Sequence, residues 1–245
     1  MASKARAQAK AEERAERLAE LRAQEKARER RRNVQVGAVA VVVLLLLVGV
    51  FYLVSQRGGP DTDGVAAAGQ SGYGVTIGSE DAPHKVVIYE DFLCPFCGQL
   101  EGQTRERLQQ LADDGEVFVD YRPFVLLDAE QFDDYSPRAV SAFGVVRDEA
   151  GDEVAKRFHD LLFENQPEET ASSFPDADAL VDLAVQAGAD EAAVRPGIEA
   201  GVSDYAQGAT DEAQEARVQS TPTVIVDGEA LANPTADALL GAIGQ

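Results

Sequence analysis

Along the chain, the rhythm of hydrophobic and polar positions changes several times, and each change predicts an element. Residues 2–33 alternate Ala with Arg, Lys, Glu and Gln and contain no Gly or Pro, a pattern that predicts a solvated helix with acid–base pairs three or four apart. Leu18 and Leu21 are the large apolar residues there, too few for the sustained heptads of a coiled coil. Residues 36–54 (VGAVAVVVLLLLVGVFYLV) then run without a charge. At about 1.5 Å per residue this stretch reaches about 28 Å, close to the hydrocarbon thickness of a bilayer. The run is too long for a typical signal-peptide core, and the segment ahead of it is unusually long for a signal peptide. A single transmembrane helix over 34–54 is therefore expected, acting as a signal-anchor. Arg28, Arg30, Arg31 and Arg32 precede it while Arg57 follows, so the positive-inside rule places residues 1–33 in the cytoplasm and the rest outside.

Beyond the apolar run, residues 55–72 are rich in Gly, Ala and Asp without apolar periodicity and read as a flexible tether. The pattern then becomes globular. Val75–Ile77 and Lys85–Glu90 read as strands, Cys97–Leu111 as a helix, and Glu116–Phe124 as a strand with alternating apolar side chains. Residues 136–218 hold almost nothing strand-like. Ser136-Pro137 resembles a capped helix start, and helices are expected over 152–163, 176–187 and 190–202, with Pro196 interrupting the last. Thr223–Asp227-Gly228 reads as a strand entering a hairpin turn, and Thr235–Ile243 as a terminal helix capped by Thr235 or Asn233. A βαβ unit, a helical block and a ββα ending imply a mixed sheet with helices around it.

Charge sharpens this division. The 245 residues carry 22 Lys+Arg and 43 Asp+Glu, a net charge of −21. The basic excess sits ahead of the apolar run, suited to anionic lipid heads, and the acidic excess follows it. Phosphates would be repelled by so acidic a domain, which excludes nucleic acid as its partner. Low-complexity Ala/Arg/Glu content gives the tail none of the anchor residues that dominate protein interfaces.

The two cysteines, Cys94 and Cys97, stand in Leu93-Cys94-Pro95-Phe96-Cys97 at the end of a predicted strand, where a helix begins. Free N–H groups and partial positive charge at a helix N-terminus favour a thiolate on the first cysteine. The second, one turn on, can attack a mixed disulfide and resolve it. Pro95 suits the first helical turn. Zinc would need four ligands, and the two histidines are poorly placed: His84 precedes the strand, and His159 in AKRFHDLLF reads as a surface or packing residue. A structural disulfide is the other alternative, although so short a loop removes little unfolded-state entropy.

Asp91-Phe92-Leu93-Cys94-Pro95-Phe96-Cys97, the preceding Asp81-Ala82-Pro83 with Val86–Tyr89, and the late Ser220-Thr221-Pro222-Thr223 resemble the DsbA-like thiol–disulfide oxidoreductases, in particular their membrane-anchored actinobacterial forms. The resemblance spans about residues 73–245. It implies an α/β thioredoxin fold with an inserted helical domain at about 136–218. It further implies that Cys94 is the exposed nucleophile, Cys97 the resolving cysteine and Pro222 a cis-proline facing the pair, with Thr221 presenting its backbone to an extended substrate.

Three departures modify the expectation. Phe96 stands where the best-known DsbA has His and offers no polar stabilisation, so a less oxidising potential is implied. Thr221 is a residue type also found in isomerase-like relatives. The buried carboxylate that thioredoxin and DsbA place six residues before the first cysteine is Ile88 here. Glu90, two residues on and of the same parity, either takes over proton handling for Cys97 or is solvated with Asp91 at the strand end.

The resemblance implies a tethered oxidase that introduces disulfides into exported proteins with free cysteines. No metal or organic cofactor is needed, and a quinone-linked membrane protein, DsbB-like or related to vitamin K epoxide reductase, would restore the disulfide. Two alternatives stay open: a reductase or isomerase of the same fold, and a non-enzymatic peptide-binding module with a structural disulfide. Solvent access and acidity at Cys94 separate the enzymes from the module.

Overall fold

The computed structural model describes Thr62 and residues 64–245, so the expected tail and the apolar run at 36–54 lie outside the described residues. Among the described residues no helix is long and apolar enough to cross a membrane.

Five strands form one mixed sheet: β1 (Val75–Ile77), β2 (His84–Glu90), β3 (Val117–Pro123), β4 (Thr223–Val226) and β5 (Glu229–Ala230), in the order β1-β3-β2-β4-β5. β2 and β3 are parallel, joined by helix α1 (Pro95–Asp113), while β1, β4 and β5 pair antiparallel with their neighbours. A parallel pair needs a crossover that covers the sheet face, and α1 supplies it with Leu100, Leu108 and Leu111 turned inward. The central strand β2 is buried from Val86 to Glu90, as its near-continuous apolar run demands. The β4–β5 hairpin turns at Asp227-Gly228, both with positive φ (52° and 86°), the conformation such a two-residue turn requires.

Between β3 and β4 lie five α-helices: α2 (Tyr135–Ala150), α3 (Asp152–Glu164), α4 (Ala177–Ala187), α5 (Glu191–Glu199) and α6 (Asp204–Glu215). Helix α2 is the hub of this insertion, packing on α3, α5 and α6. Asp176 and Asp190 cap α4 and α5 by accepting from the N–H of Ala179 and Ala193. The terminal α7 (Ala236–Ala242) packs on α1 and β4, and Thr235 is its cap, accepting from the Ala238 N–H.

Several expectations change in detail. Ser136 is no cap: α2 starts at Tyr135 after Asp134 in the left-handed region, and the buried Ser136 hydroxyl is spent on Asp91 instead. Pro196 lies inside α5 rather than ending it, and the helix closes at Glu199. Helix α6 has no counterpart in the sequence reading, because its buried face is made of Ala206, Ala209 and Ala213 and leaves no large apolar rhythm.

The described part of the segment expected as a free tether, from residue 64 to 72, lies against the domain. Arg122 in β3 donates to the carbonyls of Ala66 and Ala67, Asp120 accepts from the Gly69 N–H, and Ser71 donates to Glu212. Arg122 and Asp120 are themselves a buried pair at 2.8 Å, with the Tyr89 hydroxyl as a third partner.

Candidate active site

Strand β2 ends at Glu90 and α1 begins at Pro95, so the redox motif straddles the helix start at the sheet's C-terminal edge, with Cys94 closing the four-residue connection and Pro95, Phe96 and Cys97 in the first turn. Cys94 occupies the N-cap position of α1, with Pro95 in the first turn. The Cys94 carbonyl accepts from the N–H groups of Cys97 and Gly98, which closes that turn and brings the two sulfurs to one side. Both are free thiols, and Cys94 is not the exposed nucleophile expected: it is 5% exposed, covered by its contact with Thr221, while Cys97 is fully buried. Gln166, just past α3, clamps the loop by donating to the carbonyls of Phe92 and Cys94, each at 3.0 Å. Gly98 makes room for this clamp, since a Cβ there would come within 2.3 Å of Gln166 Oε1.

The Thr221–Pro222 bond is cis, and it carries the Thr221 backbone to the pair, where the Cys94 thiol donates to the Thr221 carbonyl at 3.4 Å. Beside this contact lies a groove of about 420 Å³ formed by Phe96, Leu100, Gln103, Thr221, Pro222 and Pro234 among others. Phe96 stands 69% exposed at its edge, a large apolar side chain that the fold leaves uncovered.

The two sulfurs differ in acidity for identifiable reasons. Hydrogen bonding from the Cys97 thiol, then from the Thr221 side chain and the N–H groups of Cys97 and Phe96, outweighs burial and lowers Cys94 to about 6. Burial pushes Cys97 well above its ordinary value, and the negative charge of Glu90 pushes it further.

Behind Cys97, Glu90 and Asp91 are both fully buried, which removes the alternative that they are solvated at the strand end. Asp91 is a scaffold: its two oxygens accept from the N–H groups of Leu93, Leu126 and Leu127 and from Ser136, tying the motif loop to the start of the insertion. Glu90 holds the His159 ring, Oε1 to Nε2 at 2.5 Å, and His159 Nδ1 faces Asp160 at 3.0 Å. His159 is therefore no surface histidine; it is completely buried, edge-on to Phe92 and Phe163. His84, by contrast, sits at the far end of β2 against Asp227 at 2.8 Å, well apart from the thiols along the strand.

The comparisons with known proteins agree with this geometry. The family profile described as Thioredoxin matches residues 70–245. The reduced disulfide bond oxidoreductase DsbG of Mycobacterium tuberculosis superposes with a TM-score of 0.63 at 35% identity, over 74% of this chain and 89% of that one. The chain belongs to the DsbA-like thiol–disulfide oxidoreductases. DsbA of M. tuberculosis in its reduced form gives a TM-score of 0.61 at 34% identity, over 70% of this chain and 91% of that one. The probable disulfide bond formation protein D of Bacillus cereus is 27% identical over 184 residues, covering 69% of this chain and 77% of that protein. A 30% identical stretch of 124 residues also matches the serine/threonine-protein kinase PknE of M. tuberculosis, of which the chain spans 22%.

For this DsbA-like enzyme, Phe96, Thr221 and Pro222 line the groove, Cys94 meets Thr221 beside it, Pro95 and Cys97 lie in the same first turn of α1, and Glu90 lies on the interior side of Cys97. The sequence reading missed Glu101, Gln166 and the role of His159. Glu101 was legible as the residue four after Cys97, hence on the same face of α1. Gln166 left no signal, since it works through a loop conformation.

Proposed function

We propose that this enzyme introduces disulfides into exported proteins while tethered to the outer face of the membrane by residues 34–54, with residues 1–33 in the cytoplasm. The observation that carries the direction of exchange is the unequal acidity of the two thiols, Cys94 at about 6 and Cys97 well above the ordinary value. A thiolate stabilised at Cys94 favours the reduced enzyme, and an enzyme that prefers to be reduced is one whose disulfide oxidises others.

In this reading, a thiolate of the exported protein attacks Cys94 and expels Cys97. The protein's second thiolate then displaces Cys94, so that the protein gains a disulfide and the enzyme leaves as a dithiol. Phe96, Thr221 and Pro222 receive the extended substrate, its backbone pairing beside Thr221 and its apolar side chains resting on Phe96. Pro95 fixes the first turn of α1, and Glu90 handles protons for Cys97. The reoxidising partner is a quinone-linked membrane protein, DsbB-like or related to vitamin K epoxide reductase. That relatives are titled DsbA and disulfide bond formation protein supports the oxidative direction.

The test is the reduction potential of the full-length protein, set by equilibration in glutathione buffers. A value more oxidising than about −150 mV is expected; one near about −250 mV would reverse the assigned direction.

A further inference from the structure

A side chain of the helical insertion bonds to the backbone of the reactive cysteine itself. Helix α3 ends at Glu164, and just beyond it Gln166 turns back over the motif loop, donating to the carbonyls of Phe92 and Cys94, each at 3.0 Å. An amide nitrogen carries two hydrogens, so this pair of bonds uses both. The two carbonyls belong to the peptide planes on either side of Leu93 and Cys94. Between rigid planes only the soft dihedrals of those two residues are free, and a single nitrogen bonded to both planes holds them all.

The clamp matters differently for each carbonyl. Phe92 is fully buried and its carbonyl has no backbone donor among the described residues, so Gln166 satisfies a group that is costly to bury unpaired. The Cys94 carbonyl already accepts from the N–H groups of Cys97 and Gly98, so there the added bond sets direction rather than occupancy. Cys94 is the N-cap residue of α1, extended at φ −70° and ψ 117°, and no side chain caps the helix. That conformation turns its sulfur toward the N–H groups of Phe96 and Cys97, two of the donors that favour a thiolate. Pro95 has no N–H, so these are the first donors the helix start can offer.

Both sides of the clamp are built for it. The Gln166 N–H bonds to the Phe163 carbonyl in the last turn of α3, and the Phe163 ring packs on Phe92 with centroids 5.2 Å apart. Facing it, Gly98 lies inside α1, where alanine would be the better helix former. A Cβ at Gly98 would stand 2.3 Å from Gln166 Oε1 and 3.0 Å from its Cδ, so any larger residue expels the amide.

We propose that Gln166 is a positioning residue for thiol–disulfide exchange: it fixes the Cys94 backbone so that the sulfur faces the N–H groups of the helix start, and through it the helical insertion sets how readily that sulfur exchanges. This rests on the reading of Cys94 as the exchanging sulfur. Gln166 touches neither sulfur and acts through the peptide planes alone.

The test uses the reduced full-length protein and approaches the clamp from both sides. Gln166→Met keeps the length of the side chain and removes both donors, while Gly98→Ala leaves Gln166 in place and displaces its amide. The Cys94 thiolate is followed by its ultraviolet absorbance as a function of pH. At about pH 5 the thiolate fraction should be about fivefold lower in each variant than in the wild type, the worth of one ordinary hydrogen bond. By about pH 9 the three proteins should agree, because Cys94 is then fully ionised in all of them. The double variant should match either single one, since one clamp is lost in every case. In glutathione buffers the variants should shift toward the disulfide. If one variant does not fold, the other decides. Variants that unfold at lower denaturant yet titrate as the wild type would overturn the positioning role and leave the redox reading intact. A double variant about 25-fold below the wild type would overturn it too, because independent losses are not one clamp. A wild-type Cys94 that neither ionises below neutral pH nor exchanges with glutathione would overturn the redox reading itself, and this proposal with it.

Discussion

The two faces of the cysteine pair are built on opposite terms. On the groove side, Cys94 meets the Thr221 backbone, N–H groups at a helix start and an exposed Phe96, with no charged side chain in the groove wall. On the interior side, Cys97 backs onto buried acids and a histidine, with polar atoms on Glu90, Glu101 and Tyr121 that have no partner among the described residues. Hydrogen-bond donors, the Cys97 thiol first among them, favour a thiolate on Cys94, while burial and negative charge oppose one on Cys97. A single helical turn separates the sulfurs, so the difference in chemistry comes from the hydrogen bond between them together with what each one faces. Asp91 makes the contrast local: it adjoins Glu90, is equally buried, and has both oxygens occupied by four donors. One carboxylate is spent on architecture and the next is left with an orphaned oxygen.

The most severe way to break this comparison is to remove one sulfur at a time. Cys97→Ala should keep a glutathione adduct at Cys94 that mass spectrometry detects, whereas Cys94→Ala should form none, and neither variant should turn over. Equal adduct formation at both sulfurs would erase the proposed division of labour. Next in size is the scaffold carboxylate. Asp91→Ala leaves three N–H groups, that of Leu93 buried, and the buried Ser136 hydroxyl without their acceptor and should cost about 4 kcal/mol in denaturant unfolding. A loss below about 1 kcal/mol would mean that the loop finds other partners.

The interior cluster should also appear in the pH dependence of stability. Burial raises Glu101 to about 8, and the Glu90 charge, prevailing over burial, raises His159 to about 9. In both cases the folded protein keeps a proton that the unfolded chain has already released, so stability falls as pH rises. The Glu101 contribution is lost between about pH 4.3 and 8, and that of His159 between about pH 6.5 and 9. In the oxidised protein, where Cys94 does not titrate in the opposite sense, the denaturation midpoint should therefore be lower at pH 9 than at pH 6, and Glu101→Gln should flatten the slope. A midpoint that rises over this range contradicts the assigned charges. The smallest effect belongs to the groove: Phe96→Ala should raise KM for an apolar peptide about fivefold, as expected for the loss of about 1 kcal/mol of contact, with kcat little changed.

Much of this architecture was legible in the sequence because it is written in periodicity. Strands β2, β3 and β4 are apolar runs, α1 has a leucine face, and the Asp227-Gly228 turn has a residue pair of known conformation. Helix α6 escaped because alanines bury a face without marking it. The cysteines could be assigned from spacing and from their place at a strand end, and Pro222 from the family resemblance. The interior cluster could not, since Glu101 and His159 lie 58 residues apart and neither has a local pattern that distinguishes a buried charge from a solvated one. Charges spread along a sequence look like surface, and only the fold shows which of them face one another.

Disulfide exchange at this site depends on Cys94 being a thiolate near neutral pH while Cys97 is not. Alkylation of the reduced full-length protein by iodoacetamide across pH 4 to 10, with each cysteine assigned by peptide mass spectrometry, measures both directly. Cys94 should react along a single titration centred near about 6, with Cys97 essentially silent over the whole range. Two cysteines titrating together near the ordinary thiol value of about 8.5 would contradict it.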